Sequence, residues 1–232
     1  MSVAPPGQKR QSLGKDKVFN RRAKLTLAAK RLQKLQPYIF ITTTGGKGEA
    51  MARKHGPWTV INSARKFKGS LIELWLDAVI KPDGEPGEYV TIRVQPGVSV
   101  IALDDESCLH LAREFRFAVG RECLEAVGGA VDEGEEPVDA ARRELREELG
   151  IEAEELIPLG HVEPMTSIAV ASSHLFLARR LRFTEPQQEG SEQIECVRLP
   201  LDEAVKLVMA GKITEAASCA LILKAANFVS GQ

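Results

Sequence analysis

The stretch "GGAVDEGEEPVDAARRELREELGI", residues 128–151, combines a glycine-rich acidic loop with a highly charged segment of helical character. Pro137 suits the first turn of a helix, and the acidic residues before it complement the positive end of the helix dipole. Gly150 supplies the left-handed residue that commonly ends a helix. The stretch therefore predicts a loop followed by a helix over residues 137–149.

Three glutamates of this helix, Glu144, Glu147 and Glu148, stand at positions i, i+3 and i+4, which places their carboxylates on one face. Like charges so placed destabilise an isolated helix by about 0.2–0.5 kcal/mol per pair. A divalent cation would turn that repulsion into attraction. The alternative is a solvated charged surface on which Arg143 pairs with Glu147, because such pairs are common and contribute little. The helix alone leaves both interpretations open.

The complete stretch resembles the signature box of the Nudix hydrolases. The spacing is Gly129, five residues, Glu135, seven residues, Arg143-Glu144-Leu145, one residue, Glu147-Glu148, one residue, Gly150-Ile151. The resemblance extends over about residues 55–230. It implies an α/β/α sandwich around a mixed sheet and the hydrolysis of a nucleoside diphosphate linked to another group. It also implies Mg²⁺ or Mn²⁺ as cofactor, and carboxylate oxygens suit both ions.

The resemblance also assigns roles to residues of the box. Glu144 and Glu148 are expected to bind the metal directly, and Glu147 is expected to be a ligand or a base that orients water. In related enzymes the residue before the box glycine, usually alanine, gives its carbonyl to a metal, and here that residue is Gly128.

A second group of box residues is expected to shape the loop. By the same resemblance, Glu135 and Arg143 hold the loop against the helix. Arg143 is also expected to be a catalytic residue. Gly129 lets the loop turn tightly, and Gly150 ends the helix.

The segment before the box, "REFRFAVGRECLEAVGG" at 113–129, is similar to ADP-ribose pyrophosphatases. That likeness implies that Arg116 contacts the substrate diphosphate, a natural use of a fork-shaped donor. Glu125 would contact a ribose hydroxyl or the site of a neighbouring subunit. The alternative for Arg116 is an ordinary surface residue of a strand.

After the box, the segment 189–223 also resembles this subfamily. Glu192 fits a further metal-binding or water-activating carboxylate, and Glu189 is a weaker candidate; both could instead belong to a solvated turn. One departure concerns the loop before the strand "HLFLA", which has no acidic residue between Glu163 and His174. The sequence therefore leaves open which residue is the catalytic base and which sugar the substrate carries.

The expected activity is Mg²⁺-dependent hydrolysis of ADP-ribose to AMP and ribose 5-phosphate. GDP-mannose or another nucleotide sugar is the nearest alternative substrate. A rival of another class is a non-catalytic Nudix-fold sensor that binds ADP-ribose and contacts nucleic acid through a basic arm. Trp58 and Trp75 could stack a purine, although each is more often a core residue.

Apolar runs separated by turn residues predict mostly antiparallel strands and a few helices. The predicted strands are 58–62, 71–80, 88–94, 97–103, 108–116, 174–181 and 194–199, and the later helices are 201–210 and 214–229. This pattern indicates an α/β or α+β layered domain. By the resemblance, residues 51–95 form a small extra sheet that makes a homodimer, and residues 96–232 form the hydrolase domain.

Residues 1–50 have a composition of their own, with eleven Lys and Arg against two acidic residues. Part of this segment, 18–35, is compatible with a short amphipathic basic helix. It could be a flexible or partly helical tail, a targeting or membrane-surface segment, or a nucleic-acid arm. Met51 could also be the natural start. The sequence leaves these alternatives open.

The whole chain carries a net charge of -1, so it has no global attraction to nucleic acid or anionic lipid. It is 44% hydrophobic and 27% charged, an ordinary globular balance. The four cysteines stand far apart, which favours reduced thiols over a zinc site or a disulfide framework. Without an apolar run long enough to span a membrane, the sequence predicts a cytoplasmic protein without membrane partners.

Overall fold

The computed structural model describes residues 52–188, 190 and 193–231. The basic arm, Glu189 and Glu192 lie outside the described residues. The elements in chain order are β1 Arg53–His55, β2 Trp58–Lys68, β3 Ile72–Ile80, β4 Pro86–Val94, β5 Gly97–Leu103, β6 Cys108–Arg116, β7 Arg121–Glu125, β8 Val127–Ala130, α1 Pro137–Leu149, β9 Ile151–Val162, β10 Ala169–Val170, β11 Ser173–Phe183, β12 Glu195–Pro200, α2 Leu201–Met209 and α3 Ala216–Ser230. No helix in this part of the chain is long and apolar enough to cross a membrane.

The predicted elements are confirmed, and α1 has the predicted bounds. Pro137 lies at its start, and Gly150 after its end has a left-handed φ of 63°. The short strands β1, β7, β8 and β10 and the long strand β9 were not predicted.

The chain divides into two compact units. One contains the described residues up to Lys66 together with Trp75–Val90, and its strands follow the spatial order β1, β2, β3, β4. Trp58 meets Tyr89 edge to face with ring centroids 5.4 Å apart. Arg65 lies over the ring of Trp75 at 5.9 Å. Both tryptophans are thus half-buried within this unit.

The other unit contains residues 67–74 and the described residues from Thr91 onward. Its main sheet has the order β12-β6-β5-β11-β9, with β7 on β6 and β8 on β5. β5 and β11 run parallel, and the other pairs of this sheet are antiparallel. A mixed sheet of this kind confirms the predicted sheet type.

Each face of this sheet carries an apolar cluster. Along β5, Val100 and Ala102 face a cluster that includes Leu145 of α1. Ile101 and Leu103 face a cluster built with α2 and α3. Burying one such aliphatic side chain contributes about 1.5–3 kcal/mol, so both helical layers are held firmly. The predicted α/β/α arrangement is confirmed.

Strand β11 changes face at Arg180, whose φ of 57° is uncommon for a residue with a side chain. Before it, Phe176 and Ala178 face the α1 cluster, as alternation requires. After it, Leu181 packs on that same cluster although it stands three residues beyond Ala178. One left-handed residue thus shifts the phase of the strand.

Candidate active site

A single arginine joins the acidic loop to α1. Arg143 donates from Nε and Nη2 to the two carboxylate oxygens of Glu135, both at 3.0 Å. Nη2 also donates to the Ala130 carbonyl oxygen at 3.0 Å. Glu135 in turn accepts the Asp132 backbone N–H at 3.0 Å. Paired guanidinium–carboxylate hydrogen bonds are strong and directional, so this contact fixes the loop against the helix.

These contacts shift the ionisation of both partners. The hydrogen bond from Arg143, followed by that from the Asp132 amide, lowers the pKa of Glu135 below its usual value. The hydrogen bond to Glu135, with a further contribution from Glu144, raises the pKa of Arg143 in spite of its partial burial. Both groups are therefore charged wherever the protein is folded near neutral pH.

The same guanidinium reaches the helix carboxylates. Nη1 of Arg143 donates to Glu144 at 2.6 Å and to Glu147 at 3.4 Å. Arg143 thus offsets the like-charge repulsion that the glutamate spacing would otherwise impose on α1.

The close approach of Glu144 to β8 explains the box glycine. A Cβ atom built at Gly129 would lie 1.9 Å from the Glu144 Oε1 atom. At Gly128 a Cβ atom would lie 2.9 Å from the Val98 carbonyl oxygen, because β8 pairs with β5 at this point. Two residues without side chains therefore let a carboxylate and a strand meet here.

The carboxylates fit a hard divalent ion by their chemistry. Glu148 is only 6% exposed, and its charge is among those that raise the pKa of Arg116. Glu144 lies in a space that opens only because residue 129 has no side chain. Within the described ranges, no three His, Cys, Asp or Glu residues form a ready group for a metal. In this arrangement Arg143 supplies the positive charge beside Glu144 and Glu147.

The chain after β11 crosses the C-terminal end of α1. A Cβ atom at Gly150 would lie 2.3 Å from the Thr184 carbonyl oxygen. The backbone N–H and the hydroxyl of Thr184 donate to the Gly150 carbonyl at 2.6 and 3.0 Å. The Gln187 N–H donates to the Glu147 carbonyl at 2.8 Å. The crossing segment thus satisfies carbonyls that lack partners within the helix.

Arg116 lies at the end of β6, within a group of acidic residues. Its Nε donates to Glu125 at 2.9 Å, and its Nη1 pairs with Glu114 at 2.5 Å. Burial alone would lower the pKa of Arg116, but the hydrogen bond to Glu125 and the charges of Glu125, Glu114 and Glu148 raise it. Arg116 is therefore a permanently charged donor near the buried Glu148.

Two cavities adjoin the box. One of about 330 Å³ touches Gly129 and Ala130 and is also lined by Gln95 and Ser172. A larger groove of about 590 Å³ runs along the outer side of α1, where Glu147 and several arginines line it. Small molecules can thus reach the loop-helix element from two cavities.

The structure brings the box residues and the β6–β7 pair into one region. Three contributors were not predicted from the sequence: Glu114, Thr184 and Gln188, whose side chain donates to the Glu148 carbonyl oxygen. Glu114 had a usable signal, since residues i and i+2 of a strand lie on one face. Nothing in the local sequence indicated the other two, whose partners are distant along the chain.

Comparisons with known proteins agree with this geometry. A family profile described as "NUDIX domain" matches residues 93–217. An ADP-ribose pyrophosphatase of Bacillus subtilis (strain 168) is 30% identical over 152 residues, which cover 65% of this chain and 82% of that protein. An ADP-ribose pyrophosphatase of Mycobacterium tuberculosis is 27% identical over 166 residues, covering 70% and 80%. The crystal structure of an ADP compounds hydrolase superposes with a TM-score of 0.70 at 22% identity, covering 78% of this chain and 98% of that one.

Proposed function

Because this chain belongs to the NUDIX family of hydrolases, we propose that it cleaves the diphosphate of a nucleoside diphosphate sugar. ADP-ribose is the first candidate substrate, with AMP and ribose 5-phosphate as products. The observation that carries the proposal is the close fit of Glu144 against Gly129, with Arg143 and Glu135 locking the loop beside them. Names of relatives such as the Bacillus subtilis enzyme support the choice of substrate.

A divalent ion, Mg²⁺ or Mn²⁺, would be held by the carboxylates of Glu144 and Glu148, with Glu147 and the Gly128 carbonyl as further ligands. When bound, such an ion neutralises the diphosphate and activates water. The chain's own contribution is to hold these oxygens in place. Arg143 holds Glu144 directly, because it is bonded to both Glu135 of the loop and Glu144.

Arg116 would bind the substrate diphosphate. Its Nε and Nη1 are held by Glu125 and Glu114, which orients the guanidinium plane before a ligand arrives. Orientation of this kind reduces the entropy lost on binding. Glu125 would also be available to a ribose hydroxyl.

The residue that removes a proton from water would be Glu147 or Glu192. Glu147 is half-buried and is bonded weakly to Arg143, at 3.4 Å. Glu192 has only its position in the sequence to support it. Replacing each by glutamine and comparing the pH dependence of kcat would decide between them.

A homodimer is part of the proposal. Phe67, Leu71 and Ile72 lie around the turn between β2 and β3, and they are 52%, 56% and 43% exposed. A cluster of exposed apolar side chains of this kind favours a protein contact. We also place the enzyme in the cytoplasm, which suits four free cysteines.

The test is a substrate panel with the full-length protein. ADP-ribose, ADP-glucose, GDP-mannose and UDP-glucose are incubated with Mg²⁺, and release of the nucleoside monophosphate is measured. We expect release to be fastest from ADP-ribose and to stop when EDTA removes the metal. If the nucleoside monophosphate is released from GDP-mannose alone, the substrate is GDP-mannose and the proposed diphosphate hydrolysis still holds. Tight binding of ADP-ribose without cleavage would favour the sensor instead.

A further inference from the structure

One glutamine side chain joins the end of α1 to the start of β12. Nε2 of Gln188 donates to the carbonyl oxygens of Glu148 and Ile194, both at 2.9 Å. Its Oε1 accepts the Ile194 backbone N–H at 3.4 Å. The carboxamide therefore pairs with the backbone of Ile194 on one side and with the last turn of α1 on the other.

This bridge acts on Glu148, one of the two residues whose carboxylates are proposed to hold the metal. The Glu148 carbonyl is one of the groups at the helix end that cannot bond within the helix. Gln188 satisfies it from a partly buried position. Since the Glu148 side chain is itself buried, its carboxylate can stay in place only if the last turn of α1 keeps its position.

We propose that Gln188 is a positioning residue for hydrolysis, which holds Glu148 in register with the chain that enters β12. The inference rests on the proposed function, in which Glu148 binds the metal. Partners that orient metal ligands typically affect affinity or activity about 10–100-fold when they are removed.

The chemistry of the bridge requires an amide. Two carbonyl oxygens need a donor, and one backbone N–H needs an acceptor, and only a carboxamide of this length offers both. A glutamate here would place a charged oxygen against the two carbonyls. A methionine would fill a similar volume but would leave all three backbone groups without this partner.

The adjacent residue provides a matched control. The side chain of Gln187 is exposed and accepts a hydrogen bond from the surface residue Arg146 at 3.2 Å. Gln187→Met therefore removes the same chemical group one residue away without touching the bridge.

The experiment compares Gln188→Glu, Gln188→Met and Gln187→Met in the full-length chain. For each, kcat and KM for ADP-ribose are measured across a Mg²⁺ series, together with Tm. We expect both Gln188 variants to lose about tenfold in kcat and to need more Mg²⁺, while KM changes little. Gln187→Met should match the wild type. Wild-type kcat and Mg²⁺ dependence in both Gln188 variants would overturn the inference, as would a kcat loss that stabilising conditions restore.

Amide hydrogen exchange separates this inference from the proposed function. In Gln188→Met, the amides of residues 147–150 and of Ile194 should exchange faster than in Gln187→Met, because the helix end and the strand start lose their common partner. Equal amide exchange rates in the two variants would contradict the role of Gln188 as a bridge between the helix end and the strand start. If the wild type cleaves no nucleotide sugar, the proposed function fails, and the exchange result alone then decides whether Gln188 positions Glu148.

Discussion

The site has two halves that are built from different ranges of sequence. The box half, residues 128–150, makes its contacts locally: Arg143 reaches Glu135 over a separation of eight residues. The supporting half consists of the β6–β7 hairpin, Thr184 and Gln188, and Gln188 reaches Glu148 over a separation of 40 residues. The difference teaches that the chemistry is encoded in one short motif, whereas its placement depends on the fold.

The largest effect should come from the box half. In Glu148→Gln the fold should persist, but a buried charged oxygen is lost, so kcat should fall about 10³-fold, a loss typical of one preorganised electrostatic group. Steady-state assays with Mg²⁺ and ADP-ribose measure this. Glu88→Gln, an exposed change on β4, is the control and should leave kcat unchanged. Comparable kcat values in the two variants would show that Glu148 of the box takes no part in catalysis.

The next effect tests the close approach within the box half. Gly129→Ala places a methyl group where the Glu144 carboxylate lies, so the side chain or the strand must move. We expect kcat to fall about 10²-fold, while the free energy of unfolding changes little, because the atoms that must move are the far end of the flexible Glu144 side chain. Activity assays and urea unfolding measure the two. Gly87→Ala meets only ordinary contacts with the side chain of Lys81, and it should leave both quantities nearly unchanged. Wild-type activity in Gly129→Ala would contradict the proposed role of the Glu144 carboxylate.

A smaller effect is expected in the supporting half. Arg116→Gln removes the proposed diphosphate donor, so KM for ADP-ribose should rise about tenfold while kcat changes less. The matched control is Arg113→Gln on the same strand, since Arg113 pairs with Glu195 at the surface. If both variants raise KM equally, Arg116 has no special role in binding.

The smallest effect concerns pH and the loop contact. The pKa of Glu135 is lowered from an ordinary value of 4.5 when the chain folds. The unfolded chain therefore binds the proton more readily, and the stability from this group is present above about pH 4.5 and is lost as pH falls through the lowered value. Urea unfolding should show the wild type more stable than Glu135→Gln at pH 7, with the difference shrinking as the pH is lowered below 4.5. A constant gap would contradict this assignment.

Much of the box half was predictable because its signals are local. Pro137 and Gly150 mark the ends of α1, and the glutamate spacing sets which side chains share a face. The pairing of Arg143 with Glu135 follows from the family resemblance and lies within one loop and two helical turns. In this region a short window of sequence contains both partners of each Arg143 hydrogen bond.

Other parts could not be predicted from local sequence. Strand β8 contains Gly128 and Gly129, which disfavour strands, and its conformation depends on pairing with β5. Strand β9 mixes glutamates, a proline and apolar residues without clean alternation. The phase change in the partner strand β11 occurs at Arg180, where no glycine or asparagine in the sequence indicates a left-handed residue. The bridge from Gln188 depends on a crossing that only tertiary packing creates.

The position of Arg143 has a consequence for how the enzyme depends on its environment. The chain carries its own counter-ion among the box carboxylates, so the loop and helix can assemble without waiting for a metal. Metal availability would then set how fast each molecule turns over and not how many molecules are folded. The amount of folded enzyme would then be independent of its activation by metal. A cell short of divalent ions would keep the enzyme folded but inactive.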